Sequence, residues 1–259
     1  MLKSISLYED KGTILNKTAP ESKLFYILTA ILVPALIGSR WAGIAFISCS
    51  VLLLLLGRVL KKTLPIIALS GFVLLTVVII QGIFREGNTV PVFSIGSVVF
   101  YREGLLFSLS IVINILNMLL GFCVMILTTK PSDLIENLMR RGFSPRFGYV
   151  FVSVFEIIPQ MTETMETITD AQRSRGMETE GNLFNRIRAF IPLISPVVMS
   201  SLVNTRERAL ALEARGFNAQ GKHTYLNEET KTEADIYLQG IMAAMIAAAL
   251  IWRMIAWLM

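Results

Sequence analysis

Two arginine–glycine pairs have a residue type and position that favour a specific chemistry. Arg175-Gly176 and Arg215-Gly216 each stand where a long helical pattern ends. A guanidinium group at the end of a rigid helix can bind a carboxylate of another protein through two parallel hydrogen bonds. The pairs also fit a simpler interpretation, because glycine commonly ends a helix and arginine favours the negative end of the helix dipole. Arg141-Gly142 shows the same local pattern, so both interpretations stay open on this evidence alone.

The composition of the chain excludes a soluble globular protein. Hydrophobic residues make up 54 % of the 259 residues and charged residues only 17 %. The apolar residues are also grouped in runs long enough to cross a bilayer. The net charge of +5 includes no block of consecutive basic residues, so it indicates membrane topology and no nucleic-acid partner. His223 is the only histidine, and we expect no metal site. Cys49 and Cys123 lie in apolar runs and are predicted to be buried, without a disulfide.

Five apolar segments predict five transmembrane helices. They cover residues 24–37, 41–56, 64–83, 105–128 and 236–258. Basic residues precede the first segment and follow the second as Arg58, Lys61 and Lys62, which places the N-terminus in the cytoplasm and the C-terminus outside. Residues 90–100, in the longest outside loop, are rich in β-branched and aromatic residues and predict a small hairpin. In the fourth span, Asn114 and Asn117 suggest either a substrate- or partner-contacting face or, as we prefer, hydrogen bonds between helices.

The charged block of residues 130–235 is predicted to be a cytoplasmic domain of amphipathic helices. It contains 13 basic and 14 acidic residues, so it is not a basic membrane anchor. One short helix ends near Arg141, and Ser144-Pro145 starts a long one that Pro159 should kink or break. A second long pattern covers 183–215, with a bent start at Pro192 and Pro196. The chain then divides into residues 1–129 with four spans, the cytoplasmic block 130–235, and residues 236–259 with the last span.

Four segments of the chain resemble the transmembrane T-component of energy-coupling factor transporters, the CbiQ/EcfT family. They are residues 128–134, 171–176, 188–193 and 211–216. The resemblance implies two Ala-Arg-Gly motifs at the ends of coupling helices, which dock in grooves of two ATP-binding cassette ATPases. Carried over, the docking residues are Ser174, Arg175, Gly176, Ala214, Arg215 and Gly216. The first motif has serine where the family usually shows alanine.

The resemblance implies an energy-coupling subunit in the cell membrane of a prokaryote. The apolar faces of its two long cytoplasmic helices would hold a separate substrate-binding membrane subunit for a vitamin or a transition-metal ion. We expect that subunit to contact Phe151, Val154, Ile158, Met161, Ile187, Ile191, Ile194 and Val198. The chain itself would need no cofactor, because the partner ATPases bind ATP and this sequence has no phosphate-binding loop. The sequence does not say which substrate is carried or whether the two ATPases are identical.

Two other functional classes fit the sequence less well. A conventional ABC importer permease would form the translocation path itself, but such permeases present one short coupling helix. A cytoplasmic block of about a hundred residues with two long helices argues against it. An intramembrane enzyme is disfavoured because the sequence has no His-Glu-x-x-His, no Gly-x-Ser-x-Gly and no paired acids within a span. The predicted fold class is therefore an all-α membrane protein with about five transmembrane helices and long amphipathic cytoplasmic coupling helices.

Overall fold

The computed structural model of the protein describes residues 8, 11–95, 98–176, 183–219 and 232–258, with the side chains of 14, 17, 95 and 183–190 left out. These residues form nine helices and one two-stranded sheet. The helices are α1 Ile14–Lys17, α2 Pro20–Ile37, α3 Arg40–Leu56, α4 Leu60–Phe84, α5 Arg102–Thr128, α6 Pro131–Arg140, α7 Pro145–Ser174, α8 Leu183–Ala214 and α9 Glu233–Leu258. The strands are β1 Pro91–Ile95 and β2 Val98–Tyr101.

A helix covers each of the five predicted spans. Four of these helices, α2, α4, α5 and α9, are long and apolar enough to cross a membrane, and α3 is a shorter apolar helix of 17 residues. The tight turn between α2 and α3 depends on Gly38, whose φ of 69° is in the left-handed region that favours glycine. The prediction of an all-α membrane protein with about five spans is therefore confirmed.

The chain divides into two compact units, which are described separately. The first contains residues 6–137 and 229–259, and the second contains residues 1–5 and 138–228. In the first unit α5 is the central helix, because it packs against α2, α3 and α4, while α9 packs against α2. Leu54, Leu120, Val124 and Leu127 belong to its buried core. The domain boundaries predicted at residues 130 and 235 stay a prediction.

Two sequence predictions each concerned a pair of residues, and each is correct for only one member of its pair. Cys123 is buried in the core, but Cys49 is exposed on α3. Asn117 is buried and donates a hydrogen bond from its side chain to the backbone oxygen of Ala30, which joins α5 to α2. Asn114 is exposed on α5, so the inter-helix hydrogen bond is confirmed for Asn117 and wrong for Asn114.

The predicted hairpin is present between α4 and α5. β1 and β2 are antiparallel, and the rings of Phe93 and Phe100 stack with centroids 4.6 Å apart. Phe100 also lies close to Gly82 of α4. The backbone of α5 comes so near to α4 at Gly104 that a side chain there would collide with the backbone oxygen of Gln81. The hairpin thus closes a tightly packed helix pair.

The second unit is built mainly from α7 and α8. α7 begins at Pro145 after Ser144, as predicted, and runs for 30 residues to Ser174. Pro159 lies inside this helix without interrupting it, so the predicted break is wrong, while the kink stays a prediction. Pro192 and Pro196 likewise lie inside α8. The two candidate motifs thus stand at the ends of two continuous helices of 30 and 32 residues.

Candidate functional site

The backbone explains the glycine of the second motif. After α8 ends at Ala214, Gly216 has a φ of 73°, and its N–H donates to the oxygen of Glu213 over 3.0 Å. The N–H of Phe217 donates to the oxygen of Leu212, also over 3.0 Å. This pair of bonds is a Schellman motif, in which a left-handed glycine lets the last helix carbonyls find donors. Gly216 is therefore required by the way the helix ends.

The same backbone arrangement occurs at the end of α6. Gly142 has a φ of 101°, its N–H donates to the oxygen of Met139, and the N–H of Phe143 donates to the oxygen of Leu138. Gly176 also has a positive φ, of 88°, and its N–H donates to the oxygen of Arg173. The helix-stop interpretation of all three arginine–glycine pairs is thus correct for the glycines, and it leaves the role of the arginine side chains open.

The arginine side chains at the two candidate motifs point into solvent. Arg175 and Arg215 are both exposed, and neither guanidinium makes an ion pair or hydrogen bond with another residue in the described part of the chain. Ser174, which replaces the usual alanine, donates its hydroxyl to the backbone oxygen of Asp170 over 3.0 Å. The extra hydroxyl is thereby satisfied within α7. Both motifs therefore offer an exposed cation on a fixed backbone, which suits binding of a carboxylate.

Helices α7 and α8 pack in an antiparallel manner. Tyr149 near the start of α7 meets Phe217 just after α8, with ring centroids 5.3 Å apart. Further along α7, Gln160 accepts a hydrogen bond over 3.0 Å from Arg208, which lies earlier in α8. Residue numbers therefore rise along one helix as they fall along the other. Arg215 lies level with the start of α7 and Arg175 lies at its far end, roughly 35 Å away at 1.5 Å per helical residue.

The apolar side chains expected to hold a substrate-binding subunit are mostly exposed on these two helices. Exposed fractions are 51 % for Phe151, 47 % for Val154, 41 % for Ile158, 37 % for Met161, 63 % for Ile191, 46 % for Ile194 and 45 % for Val198. The side chain of Ile187 lies outside the described residues. Met161 also lines a small cavity between the helices, so it is shared with their packing. Large apolar side chains exposed in this number typically mark a protein or membrane contact.

One polar contact that joins the two helices could not be predicted from sequence patterns. Arg208 of α8 reaches both Glu156 and Gln160 of α7. Its partners are 52 and 48 residues away along the chain, which is too far for a local pattern to indicate them. Polar residues four positions apart on one helix, such as Glu156 and Gln160, are a weak signal for a contact with another helix, because most such pairs face solvent. Only the packed structure identifies this contact.

The family model described as CbiQ, cobalt transport protein, matches residues 11–226 of this chain. This chain belongs to the CbiQ family. Curated relatives include the energy-coupling factor transporter transmembrane protein EcfT of Clostridium kluyveri, 26 % identical over 99 % of both chains. The EcfT of Brevibacillus brevis is 28 % identical over 98 % of this chain and 100 % of its own. That of Exiguobacterium sibiricum is 31 % identical over 72 % of this chain and 73 % of its own.

Membership of the CbiQ family confirms the resemblance drawn from the motif segments. The EcfT relatives are named as transmembrane components of a transporter, and the apolar helices of this chain agree with a multi-pass membrane protein. The CbiQ chain is accordingly a membrane component of an energy-coupling factor transporter, which implies a non-catalytic subunit. The matched region includes α1 to α8, so both candidate motifs lie inside it.

Proposed function

We propose that this protein is the energy-coupling subunit of an energy-coupling factor type ABC importer. It would link two cytoplasmic ATPases to a separate substrate-binding membrane subunit. The observation that carries the proposal is the placement of two exposed arginines, Arg175 and Arg215, at opposite ends of one antiparallel helix pair, where neither is paired with a residue that the structure describes. The names of the EcfT relatives support the same assignment.

The separation of the arginines favours two docking partners over one. Each guanidinium lies at a helix end with a fixed backbone, and roughly 35 Å separates them along the helix pair. Each arginine can therefore bind a carboxylate in a groove of its own ATPase, and only the arginine side chain loses conformational freedom on binding. When ATP draws the two ATPases together, the two helix ends would move with them. ATP would be bound by those partners and no cofactor by this chain.

The exposed apolar faces of α7 and α8 would hold the substrate-binding subunit. Burying side chains such as Phe151, Ile158 and Val198 against a partner removes apolar surface from water, at about 25 cal/mol per Å². Movement of the helix ends would then tilt or release that partner. The substrate would be a vitamin or a transition-metal ion, with its specificity in the partner. The helix pair and the N-terminus would lie in the cytoplasm and the C-terminus outside.

The proposal is tested by co-purification in detergent. The tagged chain is co-expressed with its neighbouring genes as wild type, as Arg175→Glu with Arg215→Glu, and as Arg206→Glu. Arg206 is an exposed arginine on α8 away from either helix end, so it controls for the change of charge. We expect ATPases to co-purify with the wild type and with Arg206→Glu but not with the double reversal, while all three insert in the membrane.

Two other results would count against the proposal. Equal ATPase binding by the double reversal would mean that the two arginines only end helices and that the ATPases bind elsewhere. Failure of the wild type to retain any ATPase would contradict the assignment as a coupling subunit.

A further inference from the structure

Part of the surface between α7 and α8 is polar, at a level where helix pairs are normally apolar. A cavity of about 20 Å³, large enough for one water molecule, lies between them. Six of the eight side chains around it are polar: Gln160, Thr164, Ser201, Asn204, Thr205 and Arg208. Many large apolar side chains of both helices are exposed, although Leu193 and Val197 of α8 are buried. At this level of the helix pair, polar contacts therefore do more than apolar packing to fix how the two helices cross.

We propose that Arg208, Glu156 and Gln160, here called the α7–α8 clamp, set the geometry that relates the two docking arginines. Arg208 is a positioning residue in this proposal, because it acts through the helices and not on any partner. One nitrogen of its guanidinium donates to Gln160 over 3.0 Å, and another lies 3.4 Å from a carboxylate oxygen of Glu156.

Glu156 and Gln160 are four residues apart, so they lie on successive turns of one face of α7. A planar guanidinium that reaches two successive turns restrains both the sliding and the rotation of α8 against α7. A lysine would restrain the helices less, because its donors share one nitrogen on a flexible stem and lack the fixed planar spacing of a guanidinium. The α7–α8 clamp therefore restrains the angle between the two helices.

The partial exposure of the clamp residues indicates that they orient the two helices more than they stabilise the fold. The side chain of Arg208 is 35 % exposed and that of Glu156 is 62 % exposed. Charge pairs of this exposure contribute on the order of 0–1 kcal/mol to folding. Removing the clamp should therefore leave the protein folded while it loosens the angle between the helices.

The position of the clamp makes its effect on the two helix ends unequal. Arg175 lies fifteen residues beyond Gln160 and Arg215 seven residues beyond Arg208, which correspond to roughly 22 Å and 10 Å of helix. A small rotation at the clamp therefore moves Arg175 about twice as far as Arg215. This inference rests on the proposed coupling function. With the angle between α7 and α8 fixed, movement of the ATPase at one helix end would also move the other helix end.

The test measures distances between spin labels on the two helices. Cysteines replace the exposed residues Thr167 on α7 and Ala211 on α8, in a background with Cys49→Ala and Cys123→Ala. The variants compared are Arg208→Ala, the double Glu156→Ala with Gln160→Ala, the combination of all three, and the control Arg206→Ala. Each is measured as the isolated chain and as the ATPase complex, with and without a non-hydrolysable ATP analogue.

We expect a narrow distance distribution for the parent protein and for Arg206→Ala. In Arg208→Ala and in the Glu156–Gln160 double variant the width should increase at least twofold, and the combination should be no broader than either. The analogue should shift the mean distance in the parent complex, and this shift should be lost in Arg208→Ala although the ATPases stay bound. A purely structural role would instead lower the melting temperature without abolishing that shift.

Unchanged widths in Arg208→Ala, or additive broadening in the combination, would overturn the clamp. Retention of the full shift in Arg208→Ala would also overturn it. If the parent protein retains no ATPases, the proposed function fails, whereas the widths of the isolated chain still decide whether the clamp fixes the angle.

Discussion

The side-chain nitrogen of Lys23 donates a hydrogen bond to the backbone oxygen of Thr128 over 2.9 Å, although 105 residues separate the two in the chain. It also donates to the hydroxyl of Thr129 over 3.1 Å. Both Lys23 and Thr128 are buried. The lysine therefore satisfies an orphan carbonyl at the end of α5 and joins it to the first turn of α2. Beside it, Ser22 donates to buried Asp235 over 3.0 Å, which connects α2 with α9 as well.

We predict that Lys23→Met lowers the thermal stability of the protein in detergent. The variant keeps the apolar length of the side chain but leaves the oxygen of Thr128 without its donor, at a cost of about 1–3 kcal/mol. Lys61→Met is the matched control, since Lys61 is exposed at the start of α4. Melting curves should show a lower midpoint for Lys23→Met only. Equal midpoints for the two variants would mean that the buried hydrogen bonds contribute nothing.

The buried amide of Asn117 gives a second stability prediction. Asn117→Leu removes its hydrogen bond to the oxygen of Ala30, and hydrogen bonds between membrane helices contribute on the order of 1 kcal/mol. Asn114→Leu, at an exposed position three residues earlier on α5, is the control. Chemical unfolding in mixed micelles should show destabilisation for Asn117→Leu and little change for Asn114→Leu. Greater destabilisation by Asn114→Leu than by Asn117→Leu would contradict the prediction.

The close approach of α4 and α5 predicts a strong difference between two glycines. An added methyl group at Gly104 would collide with the backbone oxygen of Gln81, which cannot move aside as a side chain would. Gly104→Ala should therefore destabilise the protein by about 1–3 kcal/mol. At Gly71 of α4, no atom lies within 4 Å of the added methyl group, so Gly71→Ala should be neutral or slightly stabilising. Melting midpoints of both variants measure this difference.

The exposed apolar faces of the second unit can be tested separately from the arginines. Ile158→Glu and Val198→Glu place a charge on side chains that are 41 % and 45 % exposed, so neither should prevent folding. Each should release the substrate-binding subunit while the ATPases still co-purify, because burial of an unpaired carboxylate in an interface is costly. Thr167→Glu, on the opposite face of α7, is the control. Retention of that subunit together with loss of the ATPases would contradict the assignment of faces.

Much of this architecture could be predicted from local patterns. Runs of apolar residues located all five spans, because the hydrocarbon core of a membrane demands about 20 such residues in succession. The ends of α6, α7 and α8 were also predicted, since a left-handed residue after a helix is most readily glycine. The hairpin at β1 and β2 followed from its β-branched and aromatic residues. In each case the deciding interactions are between neighbours in the sequence.

Pro159 shows where a local rule was insufficient. The sequence predicted a kink or break there, and the break is wrong because α7 continues through the proline. Proline removes one backbone hydrogen bond, and a helix of 30 residues has enough remaining bonds and contacts to continue past that loss. The local preference was real, and the rest of the helix outweighed it.

The sequence alone determined which segments cross the membrane, where the long helices end and which family the motifs resemble. Tertiary structure decided that Lys23 meets Thr128, that Asn117 and not Asn114 joins two helices, and that Arg208 joins α7 to α8. It also placed Arg175 and Arg215 at opposite ends of one helix pair. The physical reason is the range of the interactions: hydropathy and helix capping act within a few residues, whereas these contacts join residues 48 to 105 positions apart that only packing brings together.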